Sequence, residues 1–193
     1  MKKQAKTDNY FLAPKLYLRR FFLKKYFANK VKIKVMDCCA GDRVIWSNLM
    51  VEFPNVEYVG FDVKPDKSKT FKIDSSRILE QPSSYDVVDI DTYGEPWGHY
   101  FNLLKNNKTK DIVVFFTIGL VKMSGGACSK LAKGHIFGNL ASKIPNTIAA
   151  PYIFNNAQIL IEKAIDFQYV IEEMQEAFPQ NNARYIGAKL VKK

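Results

Sequence analysis

Two hydrophobic rhythms alternate along the chain. Leu16, Leu23 and Phe27 recur at near-helical spacing, with Tyr17 and Phe21 beside them. Pro14 suits a first helical turn, where its missing donor costs nothing. This predicts an amphipathic helix over 14–28. From residue 31 the period shortens to two. Val31, Ile33 and Val35 alternate with Lys32, Lys34 and Met36, which predicts a strand over 31–37. A helix over 43–52, with Trp46, Leu49 and Met50 free to pack, leads to a strand over 57–61, a charged loop over 63–69 and a short strand over 70–73. Val87, Val88 and Ile90 make a fourth strand, followed by a helix over 98–106 and a strand over 111–117. The glycine- and lysine-rich stretch 119–135 reads as a mobile substrate loop carrying Lys122, or as a linker with a short helix near 128–132. Residues 136–150 are weakly patterned around Pro145, and 155–165 reads as a helix. A hairpin with strands over 168–177 and 184–191 closes the chain, although the run at 172–176 also has good helix propensity. Strands alternating with helices imply an α/β class with a mostly parallel sheet.

Each of the first four strands ends in or is followed by an acid: Asp37, Asp62, Asp74 and Asp91. Functional groups of open α/β sheets lie just past the carboxyl ends of strands. After Asp37 come small residues, Cys38, Cys39, Ala40 and Gly41, which let a ligand approach the backbone at a helix start. Asp62 follows Asp37 by 25 residues and is either a ribose acceptor or a solvent-facing turn residue. Asp74 either accepts from an adenine amino group or caps a helix starting at Ser75. The fourth strand runs into the stretch YDVVDIDTYGEPW at 85–97, where the chemistry is expected.

Charge changes the picture at the N-terminus. Residues 1–34 hold eleven Lys or Arg against Asp8 alone, which accounts for the whole net charge of +10. A polyanion partner is expected there, with Arg19, Arg20, Lys24 and Lys25 facing phosphates; a solvated helix or a membrane surface are the alternatives. No apolar run is long enough to span a bilayer and no signal peptide is apparent, so a cytoplasmic protein that meets no membrane is expected. Three cysteines make no disulfide framework, and no partner activates Cys38 or Cys39 as a nucleophile. His99 and His135 give no zinc spacing, and no metal is expected. The glycine patterns of dinucleotide oxidoreductases and of nucleotide triphosphatases are both missing.

The ordered acids, with small residues after the first, resemble the class I S-adenosylmethionine-dependent methyltransferases over roughly 10–191. That resemblance implies a Rossmann-like sheet with a C-terminal antiparallel hairpin: a basic arm and helix over 1–30, then the methyltransferase-like domain over 31–193. The cofactor would be S-adenosylmethionine. DIDTYGEP at 89–96 resembles the D-x-D-P-F-G-x-P stretch of tRNA guanine-N2 dimethyltransferases and, more loosely, the D/N-P-P-F/Y motif of other nucleic-acid amino-methylating enzymes. Asp89, Asp91, Tyr93, Gly94 and Pro96 match; Thr92 stands where those families carry proline. NYFLAP at 9–14 is similar to their aromatic-x-x-Pro segment, so Phe11 and Pro14 would pack against the cofactor. The loop DCCAGDR departs from D/E-x-x-x-G-x-G by carrying Arg43 at the second glycine, where it would pair with the cofactor carboxylate or crowd it.

The resemblance implies that Asp37, Cys39, Gly41, Arg43, Asp62, Asp74 and Ser75 hold the cofactor. Asp91 and the Thr92 carbonyl would accept the N–H groups of a base amine, with Tyr93 stacked on the base and Gly94 and Trp97 lining its pocket. The expected reaction is methylation of an exocyclic amine, on RNA before DNA. A small-molecule or protein acceptor, and a non-enzymatic nucleic-acid binder on the same fold, are the competing readings. Monomer and homodimer are left open.

Overall fold

The computed structural model describes residues 11–63, 70–92, 94–120, 129–180 and 183–193. Element order is α1 (Leu12–Phe27), β1 (Ile33–Asp37), α2 (Val44–Glu52), β2 (Val56–Asp62), β3 (Thr70–Lys72), α3 (Ser75–Leu79), β4 (Val87–Ile90), α4 (Trp97–Asn106), β5 (Asp111–Gly119), α5 (Lys130–Phe137), α6 (Asn146–Asn155), α7 (Ala157–Glu162), β6 (Tyr169–Gln180) and β7 (Ala183–Lys192). One seven-stranded sheet runs in the order β3-β2-β1-β4-β5-β7-β6. The first five strands pair in parallel; β7 is antiparallel to β5 and to β6. Strand order reverses between β1 and β4, which are neighbours. A crevice therefore opens past their carboxyl ends.

The strand period sorts side chains onto two faces. Met36, Val88, Ile90, Val114 and Phe116 join one core beneath α4 to α7. Ile33, Val35, Val87, Val113 and Phe115 join another, covered by α1 and α2. β4 is the centre of this arrangement, and all four of its residues are buried. Helix α1 lays Leu16, Leu23, Phe22 and Phe27 on the second face. The buried stripe also contains Arg19, which lies among these apolar side chains.

Several expectations are corrected. Residues 146–155 are helical although the pattern there is weak. Pro145 starts the helix, and Ala149, Ala150, Ile153 and Phe154 pack despite Pro151 in its interior. The helix expected over 155–165 is broken at Asn156, and a 3₁₀ turn at Lys163–Phe167 ends it. The competition at 172–176 resolves as strand, because β7 supplies a full ladder of partners and β6 absorbs an irregularity at Glu172. Lys122 lies outside the described residues, and from Lys130 the chain is helical through Phe137, beyond the short helix expected near 128–132. Among the described residues no helix is long and apolar enough to cross a membrane.

Gly187 on β7 lets α1 sit close. A Cβ there would stand 2.6 Å from Phe22 Cε2 and 3.1 Å from Phe115 Cδ1. Those two rings already meet edge to face at 5.6 Å. Gly187→Ala should cost about 1–3 kcal/mol as an overpacked core. It should lower the midpoint of thermal unfolding by several degrees, and an unchanged midpoint would show that α1 gives way freely.

Candidate active site at the carboxyl end of the sheet

Helix α1 and strand β4 meet as a two-rung ladder. Lys15 and Arg19 are four apart on the helix, while Asp89 and Asp91 are two apart on the strand and its continuation. Four helical residues rise about 6 Å and two strand residues about 6.6 Å, so the rungs match. Lys15 Nζ donates to Asp91 Oδ1 at 2.9 Å and Oδ2 at 2.7 Å. Arg19 Nε donates to Asp89 Oδ2 at 2.7 Å, and its Nη2 to Oδ1 at 2.5 Å. Arg19 Nη1 donates to the Lys15 carbonyl at 2.9 Å, and Trp46 Nε1 completes Asp89 at 2.8 Å.

Arg19 is thus buried and fully committed, which corrects its expected place on a phosphate-facing flank. Burial alone would weaken its proton affinity, but Asp89 beside it raises the pKa above the usual value. The rest of the basic flank is also engaged. Arg20 and Lys24 both pair with Glu52, at 2.6 and 2.9 Å, and Lys25 pairs with Glu173 at 2.8 Å. These last three pairs are partly exposed and hold the helix only weakly.

Asp91 and Asp37 share this end of the sheet and titrate in opposite directions. Burial would raise the Asp91 carboxyl, yet Lys15 and Arg19 hold it below the usual carboxylate range. Among the described residues no such cation contacts Asp37. Burial first, and then the charges of Asp89 and Asp91, push it well above that range. The Tyr58 hydroxyl donates to Asp37 at 3.0 Å, and the Cys39 amide lies 3.4 Å from its other oxygen.

The loop after β1 is drawn in by backbone bonds. Gly41 N–H donates to Asp62 Oδ2 at 2.9 Å, and Ala40 N–H to the Phe61 carbonyl at 3.0 Å. Arg43 adopts φ 59°, the left-handed conformation that a glycine would favour. The loop therefore turns as a glycine loop does, although a side chain is present. The Arg43 guanidinium lies 4.7 Å over the Tyr58 ring, and its Nε is buried without a partner. Burial pushes the Cys38 thiol well up and the Cys39 thiol to about 12, so neither is a thiolate at neutral pH.

Asp74 is exposed and caps α3, accepting from the Ser76 amide at 3.0 Å and its hydroxyl at 2.8 Å. Ser75 is buried; its Oγ donates to the Cys38 carbonyl at 2.6 Å and lies 2.9 Å from His99 Nε2. The serine proton being spent, His99 Nε2 is the donor in that contact. Burial lowers the His99 pKa. Sequence reasoning missed this link, and the position of His99 at a helix start carries no signal for it.

Thr92 is buried and its Oγ1 has no partner. Tyr93 lies outside the described residues. Gly94, at φ 106°, makes the turn that only glycine takes easily, and its carbonyl accepts from Gly119 N–H at 2.9 Å. Trp97 is fully buried against Phe116 and lines a small recess with Glu95, Ile118, Gly119 and Phe154. Phe11 lies 6.4 Å from the Tyr185 ring, and Pro14 is half-buried in the first turn of α1. Among the described residues no group of three or more His, Cys, Asp or Glu could hold a metal ion.

No family profile and no curated protein matches this chain. Solved structures do. M. jannaschii TYW2 in complex with AdoMet aligns at TM-score 0.58 and 10% identity, over 94% of this chain and 77% of that one. Trm1 from Pyrococcus horikoshii with S-adenosyl-L-methionine aligns at 0.59 and 10%, over 94% of this chain. The plantazolicin methyltransferase BpumL, in complex with a triazolic desmethylPZN analog and SAH, aligns at 0.51 and 12%, over 95% and 84%. This is the class I methyltransferase fold. The chain spans 54% of the Pyrococcus protein, about half its length.

Two outcomes test the electrostatics of this class I fold. Arg19→Met strands the buried Asp89 charge and should cost about 3–5 kcal/mol in chemical denaturation. Adding Asp89→Asn should recover part of that loss, and a single-variant cost under about 1 kcal/mol would contradict the buried pair. Asp37 has a folded pKa above its unfolded one, so its contribution is present at acid pH and lost as pH rises through the folded value. Stability followed upward from about pH 4 should therefore decline less in Asp37→Asn than in the unsubstituted protein.

Proposed function

We propose that this chain transfers a methyl group from S-adenosylmethionine to an amine nitrogen held by Asp91. The observation that carries the reading is the state of Asp91. It is an ionised carboxylate just past the end of β4, at the reversal of strand order, and both of its oxygens already hold an amine, that of Lys15. The residues past β1 to β3 fit the cofactor. Arg43 Nε is a buried donor without a partner in the first loop, suited to the cofactor carboxylate. Asp62 ends β2, where an acid accepts from ribose hydroxyls. Asp74 and Ser75 begin α3 beside the Cys38 carbonyl, on the side expected for the adenine. Asp37, Cys39 and Gly41 form the turn that these groups share.

When bound, S-adenosylmethionine supplies a sulfonium methyl carbon, to which the nitrogen bonds as the carbon–sulfur pair stays on sulfur. Asp91 orients the nitrogen by accepting its N–H groups, and stabilises the positive charge that grows on it. The Thr92 carbonyl is proposed as a second acceptor, with Gly94 making the turn that follows. While Lys15 faces it, the lowered pKa of Asp91 keeps it ionised and able to accept through the neutral range.

A narrower form of the reading, a base amine of RNA, is supported by the resemblance of 89–96, with Tyr93 as the stacking ring. The cations of α1 also face carboxylates of this chain, Arg19 in a buried pair and Arg20, Lys24 and Lys25 in partly exposed ones. A DNA amine, a small molecule and a protein remain the other acceptor classes.

Calorimetry with S-adenosylmethionine should give saturable binding, weakened about tenfold or more by Asp62→Ala through loss of charge-assisted bonds. No binding at millimolar cofactor would overturn the proposal and leave a non-enzymatic fold. Asp91→Ala should keep cofactor binding and lose labelled-methyl transfer by about a hundredfold or more. Retained transfer would remove Asp91 from its role.

A further inference from the structure

Resting on that reading, we infer that the acceptor site is an alkylammonium site, with Lys15 of this chain as its resting occupant and external acceptor competing for Asp91. Two features outside the cofactor loop carry this. The Lys15 ammonium spans both Asp91 oxygens, at 2.9 and 2.7 Å. The same nitrogen lies 5.2 Å from the centre of the buried Tyr185 ring. A carboxylate on one side and an aromatic face on the other is the environment that recognises alkyl cations. It needs no base to stack.

Charge balance selects among acceptors. Arg19 holds Asp89 through Nε and Nη2 and the Lys15 carbonyl through Nη1, so turning to Asp91 when Lys15 leaves would break its buried pair with Asp89. Any acceptor gripped by Asp91 must displace Lys15 first. An arriving alkylammonium replaces one cation by another and leaves the pair intact. A neutral base amine separates the pair and leaves a largely buried carboxylate whose contacting cation is gone, with Arg19 acting on it only from a distance, which is costly. The site therefore takes a primary alkylamine, of the kind found on a lysine side chain, a chain N-terminus or a polyamine. The ammonium sheds one proton to water before its nitrogen can bond to carbon. The way out exists, since the side chains of Lys15 and Asp91 are 12% and 18% exposed.

Lys15→Met keeps the length of the stem and removes the competitor. The full chain carrying it should bind n-butylammonium about tenfold tighter than the unsubstituted protein in calorimetry, a gain abolished by adding Asp91→Asn. Guanosine should show no comparable gain. Equal affinity in both proteins, or a gain for guanosine instead of n-butylammonium, overturns the inference.

A second measurement needs no variant. Millimolar n-butylammonium should speed acetylation of Lys15 by an activated ester several-fold, mapped by mass spectrometry, with exposed Lys24 as the internal reference. No acceleration of Lys15 relative to Lys24 overturns the inference as well. Cofactor calorimetry tests the transfer reading separately. A chain that binds S-adenosylmethionine but shows neither displacement effect keeps that reading and loses this one.

Discussion

The ion pair between Arg19 and Asp89 governs how the rest of the molecule is arranged. Both side chains are almost wholly out of water, at 2% and 1% exposure. A buried pair adds little net stability over an apolar contact, but it tolerates almost no displacement, because a half-broken pair leaves a naked charge. It therefore fixes the rotation and height of α1 against β4 more tightly than the surrounding Leu and Phe side chains could. Those apolar side chains can shift against each other at modest cost. A carboxylate that already accepts from Arg19 and Trp46 cannot move without losing both.

That fixed register determines the next rung. With Arg19 pinned, helix geometry puts Lys15 one turn earlier, opposite the residue two places beyond Asp89. Asp91 is then ionised because Lys15 is there, while Asp37, on the neighbouring strand, is pushed the other way by burial first and then by the charges of Asp89 and Asp91. Two carboxyls with opposed titration stand at one end of one sheet, each set by what faces it. The contrast is a property of the α1 docking and of the order of strands, since β1 and β4 are adjacent only because the strand order reverses there.

Much of this was legible in the chain. Strand period and the acids at strand ends predicted the sheet and its hairpin, with Asp37 and Asp62 ending β1 and β2 and Asp91 just past β4, because those signals are local. What was not legible depended on packing. The near-helical spacing in α1 marks a buried stripe but does not say that Arg19 belongs to it; a helical cation reads as exposed until a carboxylate is found beneath it. The signal existed only as a pair of spacings, four between Lys15 and Arg19 and two between Asp89 and Asp91. Helix α6 was hidden because Pro151 interrupts its pattern and tertiary contacts of Ala149, Ile153 and Phe154 compensate. The contact of Ser75 with His99 joins residues 24 apart and has no periodic trace.

The N-terminal charge excess shows how a count along the sequence differs from a field in space. Eleven cations in 34 residues suggest a basic face. Yet Lys15, Arg19, Arg20, Lys24, Lys25, Lys30 and Lys32 each contact a carboxylate contributed by later parts of the chain. The remaining 159 residues carry equal numbers of acids and bases, so the acids drawn to α1 are withdrawn from elsewhere on the surface. The net charge survives folding, but it cannot all sit on the segment that supplied it. A cation paired at short range presents a distant ligand with the field of a short dipole, which is weaker than that of a lone charge. The basic composition of the first segment is thus accounted for in part by the acidic groups it faces.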